Sequence, residues 1–496
     1  VRKVSPESRR MLTTLSVIPA RIERREALRL TGGGEPQVAE LERFGLLAVE
    51  GETIAFRHEL IRRAIEASMT ESDRITANRE VLELLPDDAD PAQLVHHARM
   101  VGDLDRLVDL APRAARAAAA VGSHREAVDH FRQLNPLLDR VETAAKGPVL
   151  DDWAREELLQ DNLTEAIRLN ELAVLHYREM GYAEAESGAL GRAAQSYEMV
   201  GERARAETLG RQAVDVLGPD SNGLDLARAI ELNAWLATMA GDWEAALELA
   251  EQAWDAAGDD ADEWITIRCL YYRGAVAGVR DYPAGRPFFD EARERSAAAG
   301  LWYEESRALV NSAWDAYEAM DLEVALDLAD RGIASAVQHE QTLLENYAKS
   351  LKARLLELKG NWAEAEDLAR DQLDSAEISQ MVVLPLLGML EARTGRDSAR
   401  TTLSRAWAMA ETAAEFQRLA RNDSAIVAAR VQHIEGVVNP GHGLLIRIHV
   451  RCRNVSVRAD GVTKLDNKAT RHAAQLGGAH VLRIANDATL GATEGH

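Results

Sequence analysis

A chain of 496 residues is too long for one compact core and long enough for two or three modules. Its 81 acidic and 58 basic residues give a formal charge of −23, which disfavours nucleic acid as a partner unless one segment carries its own basic face. Two cysteines exclude a disulfide framework or a cysteine zinc site, and an aromatic content of only 5% suits many packed helices.

The start, Val1–Glu7, lacks the apolar core of a signal peptide, and no apolar run of about 18 residues follows, so the chain reads as cytoplasmic. It opens on Val within a helix-entry sequence, which suggests that sequence lies upstream; a GTG start codon is the alternative. Ser5 followed by Pro6 reads as a helix N-cap and first helical position. Helices are predicted over Glu7–Ser16, Glu23–Leu30 (ended by Gly32-Gly33-Gly34) and Gln37–Phe44. Leu46–Val49 and Thr53–Phe56 alternate about Glu50-Gly51-Glu52 like a β-hairpin, and a further helix begins near Arg57. Three helices and a two-stranded wing predict a winged-helix domain over residues 1–70.

The segments Leu15–Glu23, Leu41–Ile65 and Gln93–Asp103 resemble the region that follows the nucleotide-binding core in LuxR-type regulators built on STAND ATPases. In that family a P-loop ATPase comes first, then a winged helix, then helical repeats, often with a DNA-binding helix-turn-helix last. The resemblance spans roughly residues 1–430 and is sharpest around Phe56–Ile65. It implies that Arg57, His58 and Glu59 sit at a contact between the winged helix and the ATPase. An ion pair between Glu59 and Arg63, one helical turn apart, is the plainer reading of the same stretch.

Residues 71–120 predict three bridging helices, broken near Pro86-Asp87-Asp88 and at Gly102-Asp103. From there a hexapeptide recurs. Gly241-Asp242-Trp243-Glu244-Ala245-Ala246 is closely matched by Gly360-Asn361-Trp362-Ala363-Glu364-Ala365, and looser copies start at 122, 161, 201, 280, 320 and 395. The spacing is 39 or 40 residues until a last step of 35. Gly ends one helix in a left-handed conformation, Asp or Asn caps the next, and the aromatic can staple the two. Small residues recur five places after the Gly and seven before it (Ala194, Ala234, Ala313, Ala353), where helices cross closely. Constant-period helix pairs predict an α-solenoid over residues 121–430. The unit resembles the tetratricopeptide repeat, with a longer period than that family's usual length of about 34 residues.

The tail, residues 431–496, breaks the pattern. After a linker at Val437–Gly443, strands are predicted at Leu444–Val450 and Asn454–Arg458, a helix at Leu465–Leu476 and a strand at Ala479–Ala485. Residues 437–496 hold eight Lys and Arg against four Asp and Glu. A small ββαβ piece and a frameshifted or chimeric end are both open readings.

Catalytic signatures do not stand out. The dipeptide Gly-Lys of a P-loop never occurs, so no ATP chemistry of that kind is expected in this chain; the resemblance places ATP only in a missing upstream domain. His58-Glu59 is followed by Arg62 where a second zinc ligand would stand, and adjacent His96 and His97 point about 100° apart on a helix. The chain is therefore expected not to be an enzyme, and to hold no cofactor and no metal. Aromatics cluster in the middle repeats, and Trp264, Tyr271, Tyr272, Trp302 and Tyr303 are candidates to contact a partner on the concave face. The expected partner is a protein, a peptide or a small effector on the solenoid, with no direct nucleic-acid binding and no membrane. The function implied is the regulatory and sensor portion of a LuxR-type STAND ATPase regulator. The alternative is a stand-alone repeat scaffold for protein–protein interaction.

Overall fold

The computed structural model describes residues 4–19, 21–218, 221, 223–280, 282–412, 450–452 and 455–457. It divides into two compact units, Val1–Ala420 and Arg421–His496.

The first unit begins with α1 (Pro6–Ser16), β1 (Ile22–Glu23), α2 (Arg24–Thr31), α3 (Glu35–Arg43), β2 (Leu47–Glu50), β3 (Thr53–Phe56) and α4 (Glu59–Ala67). The expected cap is present: Ser5 Oγ accepts the Ser8 N–H at 3.2 Å. Glu40 of α3 then takes the Ser5 N–H at 2.9 Å and the Ser5 and Ser8 hydroxyls at 2.7 and 2.6 Å. Those donors, Ser8 foremost, hold its carboxyl down to about 2 and tie α1 to α3. The hairpin closes with Glu50 opposite Thr53, and Gly51 supplies the positive φ of 59° at the turn. Beyond the expected two strands, Ile22 pairs with Ile54 and makes a three-stranded antiparallel sheet, order β1-β3-β2.

Three helices follow α4, namely α5 (Glu71–Leu84), α6 (Pro91–Val101) and α7 (Leu104–Ala120), with breaks where Pro and Gly were expected to set them. The hairpins then run through α8 (His124–Arg132), α9 (Thr143–Leu159), α10 (Leu163–Met180), α11 (Ala183–Met199), α12 (Arg203–Asp215), α13 (Gly223–Ala240) and α14 (Trp243–Ala257). They continue as α15 (Glu263–Arg280), α16 (Tyr282–Ala298), α17 (Trp302–Glu318), α18 (Leu322–Gln338), α19 (Thr342–Leu358), α20 (Trp362–Arg370), α21 (Glu377–Arg393) and α22 (Ala399–Thr412). This is an α-solenoid of tetratricopeptide-like helix pairs.

The recurring hexapeptide forms the turn inside each pair. Gly122, Gly201, Gly241, Gly360 and Gly395 all have φ between 69° and 88°, the left-handed region that Gly enters without strain. Asp242 and Asp321 cap α14 and α18 by accepting N–H groups three residues on. The small residues lie at the crossings: Ala194, Ala234, Ala313 and Ala353 before the turns, and Ala206, Ala246, Ala325 and Ala365 after them, are all 0% exposed. The predicted aromatic staple is only partly realised. Trp243 packs partly buried against the core, whereas Trp362 is 46% exposed and lies under the Arg393 guanidinium at 5.2 Å. The apolar interior is a succession of clusters along the chain, built mainly between neighbouring pairs, and one of them also joins Leu158 and Leu163 to Leu343, Ala376 and Ile378.

In the second unit, Val450–Cys452 pairs antiparallel with Val455–Val457. The remainder of the predicted tail, including the helix at Leu465–Leu476 and the strand at Ala479–Ala485, lies outside the described residues.

Candidate functional site

The first helices of successive pairs (α7, α9, α11, α13, α15, α17, α19, α21) pack directly on one another, while among the described residues the second helices have no comparable contact. The first helices therefore form the inner, more tightly curved wall. Its middle is built around Arg268 of α15. Trp264, Arg268 and Tyr272 are spaced four apart, so one face of α15 presents all three.

Arg268 meets Glu231 of α13 on one side and Glu304 of α17 on the other, the latter at 3.8 Å. Its guanidinium lies 5.2 Å from the Trp264 ring centre, and Tyr272 Oη is 3.2 Å from it. Tyr272 donates its hydroxyl to Glu231, and Trp264 Nε1 donates to Glu304 at 3.0 Å. Arg307 completes the group, 2.8 Å from Glu304 and 5.1 Å from the Tyr271 ring centre. Two acids and two bases are thus buried together with no net charge. Burial alone would lower the Arg268 pKa, but Glu231, Tyr272 and Glu304 beside it raise it above its ordinary value. Burial raises the Glu304 carboxyl, against the pull of Arg268, and raises the Tyr272 hydroxyl well above the ordinary range.

The structure thus brings Trp264, Tyr271 and Tyr272 into one cluster and commits them to it, with Tyr271 also edge-on to Phe289 at 5.5 Å. Tyr303 is half-buried and its hydroxyl, raised by burial, hydrogen-bonds Gln195 of α11. Trp302 stands apart, 44% exposed and stacked on His339 at 4.7 Å and 7°. Arg268, Glu231 and Glu304 were not singled out from the sequence, though the Trp264-Arg268-Tyr272 stripe was there to be read.

At the other end, Arg57, His58 and Glu59 are exposed beside Leu60, itself 80% exposed. Glu59 accepts from Arg62 at 2.7 Å and Arg63 at 2.9 Å, and these bonds hold its carboxyl down to about 2. Arg62 runs on to the Ser16 carbonyl, so Glu59 braces α4 against the end of α1. His97 is buried with Nδ1 2.8 Å from Asn78 Oδ1, while the His96 ring lies 5.0 Å away and nearly perpendicular. Among the described residues no group of three or more His, Cys, Asp or Glu is placed to hold a metal ion. Among them, too, no helix is long and apolar enough to cross a membrane.

The fold defines the chain as an α-solenoid of tetratricopeptide-like repeats behind a small helical domain with a three-stranded sheet. No protein-family model matches the sequence, and no curated protein matches it. Among solved structures, a signal transduction ATPase with numerous domains and a tetratricopeptide repeat sensor, from Pyrococcus horikoshii, aligns with 88% of this chain at 15% identity and a TM-score of 0.39. This chain spans 66% of that protein's length. A Rap protein complexed with competence and sporulation factor aligns with 71% of this chain and 96% of its own, at 17% identity and TM-score 0.41. NprR in complex with its cognate peptide NprX aligns with 68% and 98%, at 14% identity and TM-score 0.48. A likeness at this level says nothing of what this chain binds.

Proposed function

We propose that this chain is the regulatory and sensor portion of a LuxR-type STAND ATPase regulator. On this reading residues 1–70 are a winged helix, residues 121–430 bind a protein, peptide or small effector, and the winged helix relays that event to an ATPase domain outside this sequence. The observation that carries it is α5. Its Ala77 and Val81 belong to the core of the N-terminal domain, while the next residue, Leu82, belongs to the first core of the repeats. Leu85, just beyond it, packs against both. On this reading a movement of the first repeats passes through α5 to the sheet. The exposed Arg57, His58 and Leu60 form the surface from which it would be passed on. Direct DNA reading is disfavoured, because Arg21 is paired with Glu50 and Arg24 with Glu35.

Hydrogen exchange with and without a partner captured on the full chain tests the relay. Altered protection in both the repeats and the hairpin of residues 47–56 supports it. Protection confined to the repeats leaves the second reading, a stand-alone protein-interaction scaffold.

A further inference from the structure

The inner wall closes on itself. Helix α9, in the second hairpin, touches α19, in the seventh, where the end of α9 and the turn after it meet the first turns of α19. Gln160 Nε2 donates to the Glu340 carbonyl, and Thr342 Oγ1 returns a bond to Gln160 Oε1 at 3.1 Å. Asp161 Oδ2 accepts from Asn346 Nδ2 at 2.8 Å and from the Ala376 N–H at 3.0 Å. Glu340 Oε2 accepts the Arg125 N–H at 3.1 Å.

The backbone at this seam departs from the repeat rule in a telling way. Among the described residues three that are not Gly have positive φ: Asp161 at 66°, Met320 at 61° and Glu340 at 48°. Asp161 occupies the turn position that Gly takes in Gly201, Gly241 and Gly360. A non-Gly residue held left-handed is strained, and the strain points to a function for its side chain. Two of the three are the residues that cross the seam.

The seam is also incompletely satisfied. Asp161 Oδ1 and Gln341 Oε1 are buried without a protein partner, a penalty that opening to water would relieve. Beneath the polar contacts, Leu158 and Leu163 share one apolar cluster with Leu343, Ala376 and Ile378. Burial holds the seam shut, and the unpaired oxygens oppose it.

We infer that the Asp161 contacts with Asn346 and Ala376 are a latch, and that its release opens the solenoid and bares the inner wall to a partner. The last step rests on the binding role proposed above; the latch itself does not.

The test compares the full chain with Asp161→Gly, Asp161→Asn and Asn346→Ala by hydrogen exchange, small-angle scattering and circular dichroism. Gly suits the left-handed turn, so Asp161→Gly removes the latch and keeps the hairpin. Asn keeps an acceptor there and tolerates positive φ. In Asp161→Gly and Asn346→Ala, the Ala376 amide is expected to exchange about tenfold faster and the radius of gyration to rise, with helicity unchanged. Asp161→Asn is expected to behave like the wild type. Wild-type exchange and dimensions in both Asp161→Gly and Asn346→Ala overturn the latch. A seam that opens in those variants while partner affinity stays the same upholds the latch and counts against inner-wall binding.

Discussion

Arg268 of α15 and Glu304 of α17 face each other at 3.8 Å, each side chain only 6% exposed, with Glu231 closing the pair from α13. Three consecutive first helices are therefore joined by one guanidinium. Removing one partner of a buried ionic group strands the other charges without water, at about 3–5 kcal/mol. Arg268→Met is expected to lose that much in urea unfolding. A variant that also carries Glu231→Gln, Glu304→Gln and Arg307→Met, so that no member of the group is left charged, is expected to recover most of it. A loss under about 1 kcal/mol in the single variant would show that these carboxylates are not stranded by it.

Tryptophan substitutions separate burial from repeat position. Trp153 is 0% exposed, stacks on Phe131 at 6.2 Å and donates Nε1 to Glu157 at 2.9 Å. Trp153→Ala is expected to cost about 3–5 kcal/mol. Trp362→Ala, which removes a half-exposed ring and one cation–π contact, is expected to cost no more than about 1–2 kcal/mol. Thermal unfolding of the two variants should rank them in that order, and the reverse order would mean that the staple position governs after all.

The contrast shows what the repeat pattern carries. Left-handed turns and buried alanines were legible because every hairpin makes the same local demand: a helix stop, then a close crossing. Trp243 and Trp362 occupy one position in that pattern yet differ in burial, because the cover comes from other elements: Trp243 packs on the apolar cluster, whereas Trp362 meets the Arg393 guanidinium. The Arg268 cluster was half legible, since the Trp264-Arg268-Tyr272 stripe is local while its acids lie on α13 and α17. The seam was illegible. Asp161 in a Gly position was visible as a departure, but nothing local names Asn346 or Ala376, 185 and 215 residues on, as its partners.

The middle hairpin replaces two alanines of the pattern with glycines, and the backbones come closer there. A Cβ on Gly285 would stand 2.5 Å from the Gly274 carbonyl oxygen and 2.9 Å from Gly278 Cα. Neither is a flexible chain end, so α15 and α16 would have to part. Gly285→Ala is expected to destabilise by about 1–3 kcal/mol, even though Ala is the better helix former by about 1 kcal/mol. Urea unfolding that matches or exceeds the wild type would mean that the helices have room to spare.

Acid sensitivity is expected to centre on His97. Asn78 Nδ2 is spent on the Arg74 carbonyl at 2.8 Å, so its Oδ1 faces His97 and the ring carries its proton on Nδ1. The opposite nitrogen, Nε2, is buried without a protein partner. Protonation would place a charge there with nothing to receive it, and burial, with His96 beside it, pushes the His97 pKa down from 6.5 to about 3. The unfolded chain takes up the proton first as pH falls below 6.5. The neutral ring's contribution is therefore whole above pH 6.5 and is lost progressively as pH falls toward 3. Between pH 6.5 and 5 the loss is about 2 kcal/mol, at about 1.4 kcal/mol per unit. His97→Gln is expected to be less stable than wild type at pH 7, with the gap narrowing by about that amount at pH 5. His96, also held low by burial, is present in both proteins. Parallel pH profiles for the two would place the acid sensitivity on another group.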